Sequence, residues 1–266
     1  MAGPEYQAHD GLTGYYRLLE SHGLNASDVL SSALPAEASR CSALFSLADV
    51  LEQPDILSQQ ILADHPDANT PRLKKARLSV LHQSLALTVI GPLVIKLFRD
   101  GKAPPADPER ILLRPVQDTP EGEPRWMHLP GTPEKTEKLE PEAFAGKAKE
   151  QMQAWYPVFR KHYGISPGAY WSSVGLAFGM PFSLVWNRVE PGALCRLAGT
   201  WLAQFECEAN RYVEWIPAEF SQQLCAIPQR KGCCLKYLLP EGGYCGTCGI
   251  YRKERMNAAT CPESAQ

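Results

Sequence analysis

Between Thr70 and Arg99 the chain reads TPRLKKARLSVLHQSLALTVIGPLVIKLFR. Thr70-Pro71 is a helix start: a hydroxyl that can cap free amides, then a residue whose missing N–H costs nothing at the first helical position. Beyond Arg72, Lys74, Lys75 and Arg77 the stretch turns apolar. It therefore predicts one long buried helix ending at Arg99, kinked near Gly91-Pro92. Its most apolar part, Leu85 to Phe98, contains Gly91, Pro92 and Lys96 and is too short to span a bilayer, so no transmembrane segment is expected. The four basic residues oppose the helix dipole; they read as a solvated first turn or, alternatively, as the seat of an anionic partner.

Outward from this helix, the chain from Leu12 to about Pro141 keeps a helical pattern with one irregular interruption. The stretch from Asp100 to Pro108 breaks it, and two β-like runs follow, Arg110 to Val116 and Arg125 to Leu129, which predict a hairpin. Pro120, Pro124, Pro130, Pro133 and Pro141 make the region around it loop-like. Helices are expected from Glu142 to Tyr163 with a kink at Pro157, from Pro167 to Val189, and from Gly192 to Tyr212. Pro217 to Pro228 then leads into a cysteine-rich module too short for a core of its own. The expected fold class is mainly α (α+β), with a small β-hairpin and a metal-bound C-terminal module. Four segments follow: 1–118, helical with a hairpin strand; 119–141, Pro-rich; 142–227, helical; and 228–266, the cysteine module.

Composition narrows the function. A chain of 266 residues, 44% apolar, can bury a sizeable core, and a formal charge of −2 gives no general pull toward nucleic acid or an anionic membrane. Nucleic acid is not an expected partner. Nine cysteines are an odd number, and the opening MAGPEYQAHDGLTGYY has no basic region leading into an apolar one, so a cytoplasmic location is expected. There, clustered thiols serve metals or catalysis more often than disulfides. Cys41, Cys195, Cys207, Cys225 and Cys261 are scattered and read as small core residues.

Cys233, Cys234, Cys245 and Cys248 are different, because they form the pattern CCx10CxxC. Four thiolates complete a tetrahedral zinc site or a small iron–sulfur cluster. Neighbouring side chains of an extended chain point apart, so gathering Cys233 and Cys234 needs an irregular turn. A two-iron cluster accommodates that pair more readily than one zinc, with a vicinal disulfide a third alternative, but spacing alone leaves these open, and with them a non-enzymatic interaction module built on structural zinc.

The spacing, the basic residues before the cysteine pair and the Lys236-Tyr-Leu-Leu-Pro240 spacer resemble the FhuF-like ferric-siderophore reductases over Arg230 to Cys248. Tyr170-Trp-Ser-Ser-Val-Gly175 is similar to the Trp-Ser helix start of that family, and Leu81 to Phe98 to its long N-terminal helix. The resemblance implies a [2Fe-2S] cluster on Cys233, Cys234, Cys245 and Cys248. It implies one-electron reduction of a ferric siderophore, typically a hydroxamate, with 142–227 as the siderophore-binding body. No catalytic residue beyond the cluster is then required, since Fe(II) is held weakly by oxygen ligands that hold Fe(III) tightly. Trp171, Ser172, Ser173, Arg230, Lys236 and Tyr251 are the candidate substrate contacts.

Arg230, Lys231, Lys236, Arg252, Lys253 and Arg255 outweigh Glu241 and Glu254, so the module reads as a basic patch or an ordinary solvated surface. None of the six histidines is at ligand spacing with another, and the tryptophans read mostly as core. With no dinucleotide fingerprint, Walker loop, HExxH or GxSxG, electrons are expected from a separate donor such as a ferredoxin or a flavin reductase.

Overall fold

The computed structural model describes residues 8–34, 43–115, 125–129, 137–220, 222–240 and 242–248. The fold is mainly α with two small antiparallel sheets among these residues. Its axis is the helix that the sequence announces. Thr70 Oγ1 accepts from the Leu73 amide at 3.3 Å, Pro71 opens the helix, and it runs without a break to Asp100, where Gly101 turns left-handed (φ 74°). Pro92 brings no N–H, and the expected kink takes the form of a widened π turn over Ala86–Ile90, in which the Gly91 amide bonds Ala86 O five residues back.

Because the helix survives Pro92, its apolar stretch is longer than Leu85 to Phe98. At 30 residues it is apolar and long enough, by length and composition, to cross a membrane, yet 67% of its apolar window is buried inside the protein. The Pro167–Phe178 helix lies along most of its length, and the Ala26–Ser32, Asp55–Asp64 and Met180–Ser183 helices cover other faces. Arg77, expected in a solvated turn, is 6% exposed and pairs with Asp67 at 3.7 Å.

One hydrophobic cluster extends from Leu12 to Ala226 and draws on the first and second helical halves alike. At its centre Trp201 donates from Nε1 to Phe178 O (2.8 Å), Tyr15 donates to Pro181 O (3.0 Å), and Phe98, Phe182 and Phe205 pack edge-on around them. Trp155, Trp201 and Trp215 are buried, as the core reading expects, and so is Trp171, a candidate substrate contact.

The hairpin of Ile111–Arg114 with Arg125–His128 forms as expected and gains a third strand, Phe45–Ser46, paired to Ile111–Arg114. Thr88 Oγ1 reaches Trp126 O at 2.9 Å and ties this sheet to the axial helix. Most of the Pro-rich segment 119–141 lies outside the described residues.

Two helix expectations are corrected. Pro167 to Val189 divides at Gly179 into Pro167–Phe178 and Met180–Ser183 and then becomes a turn. The third helix stops at Ala203, because Phe205 turns inward to stack on Phe178 (3.7 Å between ring centroids) and Glu206 takes a left-handed conformation (φ 43°). A short helix, Ala209–Tyr212, follows.

The largest departure comes next: Val213–Phe220 and Gln223–Arg230 form a full antiparallel hairpin where the sequence suggests only a lead-in. This hairpin packs on the Pro191–Ala203 helix and delivers Arg230 to the start of the cysteine module.

Candidate metal centre

The module is built on a sharp reversal. Leu235, directly after the vicinal cysteines, is left-handed (φ 65°), an uncommon conformation for a branched residue, and its amide donates to Cys233 Sγ at 3.3 Å. This is the irregular turn that a vicinal pair demands. A single turn, Lys236–Leu238, follows and packs on the axial helix, and the chain reverses again through Gly242, whose amide bonds Leu239 O. The CxxC half closes as a knuckle, with the Cys248 amide on Cys245 O at 2.9 Å.

Cys234 and Cys248 are buried; Cys233 and Cys245 are half-buried. Cys234 Sγ and Cys245 Sγ lie 3.9 Å apart. Two thiolates ~2.3 Å from one tetrahedral metal would sit about 3.8 Å apart, so this pair already has metal-ligand spacing. Among the described residues no three His, Cys, Asp or Glu side chains converge on a single point.

The contact between the two sulfurs, and after it the Arg230 charge, lowers the Cys234 thiol, and the same contact pushes Cys245 up. Cys234 is thus the more readily ionised of the two, and the thiolate is the form that binds metal. The donor set is all sulfur, with two of its sulfurs at metal-ligand spacing and the buried Arg230 on the same stretch of chain, and it fits a [2Fe-2S] group.

Backbone contacts fix the module to the body. The Arg230 amide donates to Thr247 O (3.3 Å) and the Lys231 amide to Tyr212 O (2.8 Å). Gly232 then passes so close to the start of the Pro167–Phe178 helix that a Cβ on it would lie 2.0 Å from Gly168 O. Only glycine permits that approach.

Arg230 is 2% exposed. Its Nε donates to Ser172 Oγ at 2.9 Å, and its Nη2 to Ser173 Oγ at 3.0 Å and Ala169 O at 3.3 Å. Among the described residues, Nη1 is buried without a hydrogen-bond partner. Beneath it lies His82, stacked on Tyr170 (4.3 Å) and held neutral by burial and by the Arg230 charge.

The candidate substrate contacts are therefore redistributed. Ser172, Ser173 and Arg230 do come together at the module, but as its buried floor and not as a surface open to a chelate, while Trp171 is buried among other aromatic rings. Trp171 packs against Tyr156 and Tyr170, and both serines face inward because the guanidinium needs acceptors there. Lys236 is half-buried, and Tyr251 lies outside the described residues.

The basic patch is thinner than its sequence suggests. Arg230 is internal, Lys231 pairs with Glu214 at 2.8 Å, and Arg252, Lys253 and Arg255 fall outside the described residues. Sequence reading missed Tyr237 and Tyr244, which are exposed beside the cysteines and stacked at 6.0 Å. Cys225 is buried in the hairpin, its sulfur against Ala218 O, well within the core role expected of it.

Residues 230–248 match the model of the FhuF 2Fe-2S C-terminal domain. No curated protein and no solved structure matches the chain.

Proposed function

We infer from the FhuF-type 2Fe-2S domain at residues 230–248 that this iron–sulfur protein is a ferric-siderophore reductase, acting in the cytoplasm on a chelate of hydroxamate type. The observation that carries the reading is the match of that domain to a stretch holding four cysteines, two of whose sulfurs, on Cys234 and Cys245, lie 3.9 Å apart. Cys233, Cys234, Cys245 and Cys248 would hold the [2Fe-2S] group, which when bound supplies a one-electron couple able to reduce Fe(III) to Fe(II).

The chain's own residues do the rest. The left-handed turn at Leu235 and the knuckle at Cys245–Cys248 bring the thiols to one end of the body. The short turn Lys236–Leu238 presents Tyr237 to solvent, where a chelate or an electron donor can approach within transfer distance. Each Fe(III) takes one electron, and the hydroxamate oxygens released from Fe(II) take up protons from water. The electron is replaced by a separate reduced ferredoxin or flavin reductase, because the chain carries no nicotinamide-binding fingerprint.

Anaerobic purification tests this. The protein is expected to be reddish-brown, with two irons and two sulfides per chain, and to bleach on dithionite. Cys233→Ser, Cys234→Ser, Cys245→Ser and Cys248→Ser should each remove or alter the electron paramagnetic resonance signal of the reduced protein, whereas Cys195→Ser and Cys207→Ser leave it unchanged. A colourless protein with one zinc would mean a structural zinc module in place of a reductase.

A further inference from the structure

A guanidinium stays charged at any pH a protein meets, and burying it without a counter-ion is unfavourable. Arg230 is 2% exposed, and what holds it is neutral: two serine hydroxyls and one carbonyl. Among the described residues no carboxylate pairs with it, and its Nη1 is a buried donor with nothing to bond. The residue stands three positions before Cys233, and its own amide bonds Thr247, between Cys245 and Cys248. Through its chain position and that amide bond, Arg230 adjoins both halves of the thiol set. Four thiolates, two sulfides and two ferric ions sum to two negative charges, and to three after one electron enters.

We propose that Arg230 is the fixed counter-charge of this site, seated by Ser172, Ser173 and Ala169, and that it sets the reduction potential by favouring the more negative, reduced form. The proposal rests on the [2Fe-2S] reading above. It gives the Trp-Ser helix a task other than touching substrate: Ser172 and Ser173 aim a cation. A glutamine at position 230 can still donate hydrogen bonds but carries no charge, and a lysine keeps the charge without the fork that both serines grip.

The test is potentiometric titration of the loaded protein, followed by electron paramagnetic resonance, for wild type, Arg230→Gln, Arg230→Lys and the double variant Ser172→Ala/Ser173→Ala. Arg230→Gln is expected to bias the couple at least tenfold toward the oxidised form, a midpoint lower by about 59 mV for one electron. Arg230→Lys should fall between it and wild type, and the serine variant should move the same way by less. An Arg230→Gln protein with a full cluster and an unmoved midpoint overturns the proposal. If that variant does not load, an unmoved midpoint in the serine variant overturns it instead. A wild-type protein without a [2Fe-2S] spectrum would remove the underlying reading as well, so the two failures are distinguishable.

Discussion

His82 shows how far the buried charge of Arg230 reaches. The imidazole is stacked on Tyr170 and edge-on to Phe159, and burial first, then the Arg230 charge, holds it down to about 3 from an ordinary value of 6.5. The unfolded chain binds a proton below about 6.5 that the fold refuses until about 3, so the group's stabilising contribution is complete above 6.5 and is lost as pH falls through that window. His128, pushed down to about 4 chiefly by burial, acts in the same sense. Urea midpoints measured between about pH 7.5 and 5 should fall for wild type, each fully titrating group adding about 1.4 kcal/mol per pH unit. His82→Gln should show a shallower fall; an equal slope would mean that His82 takes no part. At this scale the sequence marked the four cysteines as one set by local spacing, and the structure brings two of them, Cys234 and Cys245, to 3.9 Å. The inward aim of Ser172 and Ser173 was not legible in the sequence, although two small hydroxyls in an apolar helix do signal a buried polar partner. That partner, Arg230, lies 58 residues from Ser172 in the chain.

Among the elements, the axial helix was readable from Thr70-Pro71 and its apolar run, and the hairpin at Ile111–Arg114 from β-like residues between turns. The Val213–Arg230 hairpin was hidden by its prolines. Pro217 and Pro228 cannot donate to a ladder and argue against a strand, yet each strand of a two-stranded sheet is an edge and can face its missing donor outward. Its turn also lacks the usual Asn-Gly; Gln222 adopts the left-handed conformation instead (φ 64°). The contact between this hairpin and the Pro167–Phe178 helix is where the module is most vulnerable. Gly232→Ala would drive a methyl into the Gly168 carbonyl, a backbone atom that cannot swing aside. A loss of about 1–3 kcal/mol is expected from such overpacking, together with faster loss of the metal centre, as read by thermal melts and by absorbance decay under a chelator. A variant with wild-type melting and retention would show that the approach is not required.

For the molecule as a whole, one large core backs the cysteine module, with a small second cluster of Ala218, Cys225 and Ile227 in the hairpin before it. A module this small cannot hold four thiols alone; the Pro167–Phe178 helix supplies its floor, and the axial helix backs its short turn. On the function proposed above, this module passes electrons from a separate donor to the chelate. Mixing the dithionite-reduced protein, freed of excess reductant, with a ferric hydroxamate chelate and a ferrous trap, without oxygen or any donor, tests this most directly. A siderophore reductase recovers its oxidised visible spectrum within one turnover and yields one trapped Fe(II) per protein. A reduced spectrum that persists beside intact ferric chelate would contradict that role.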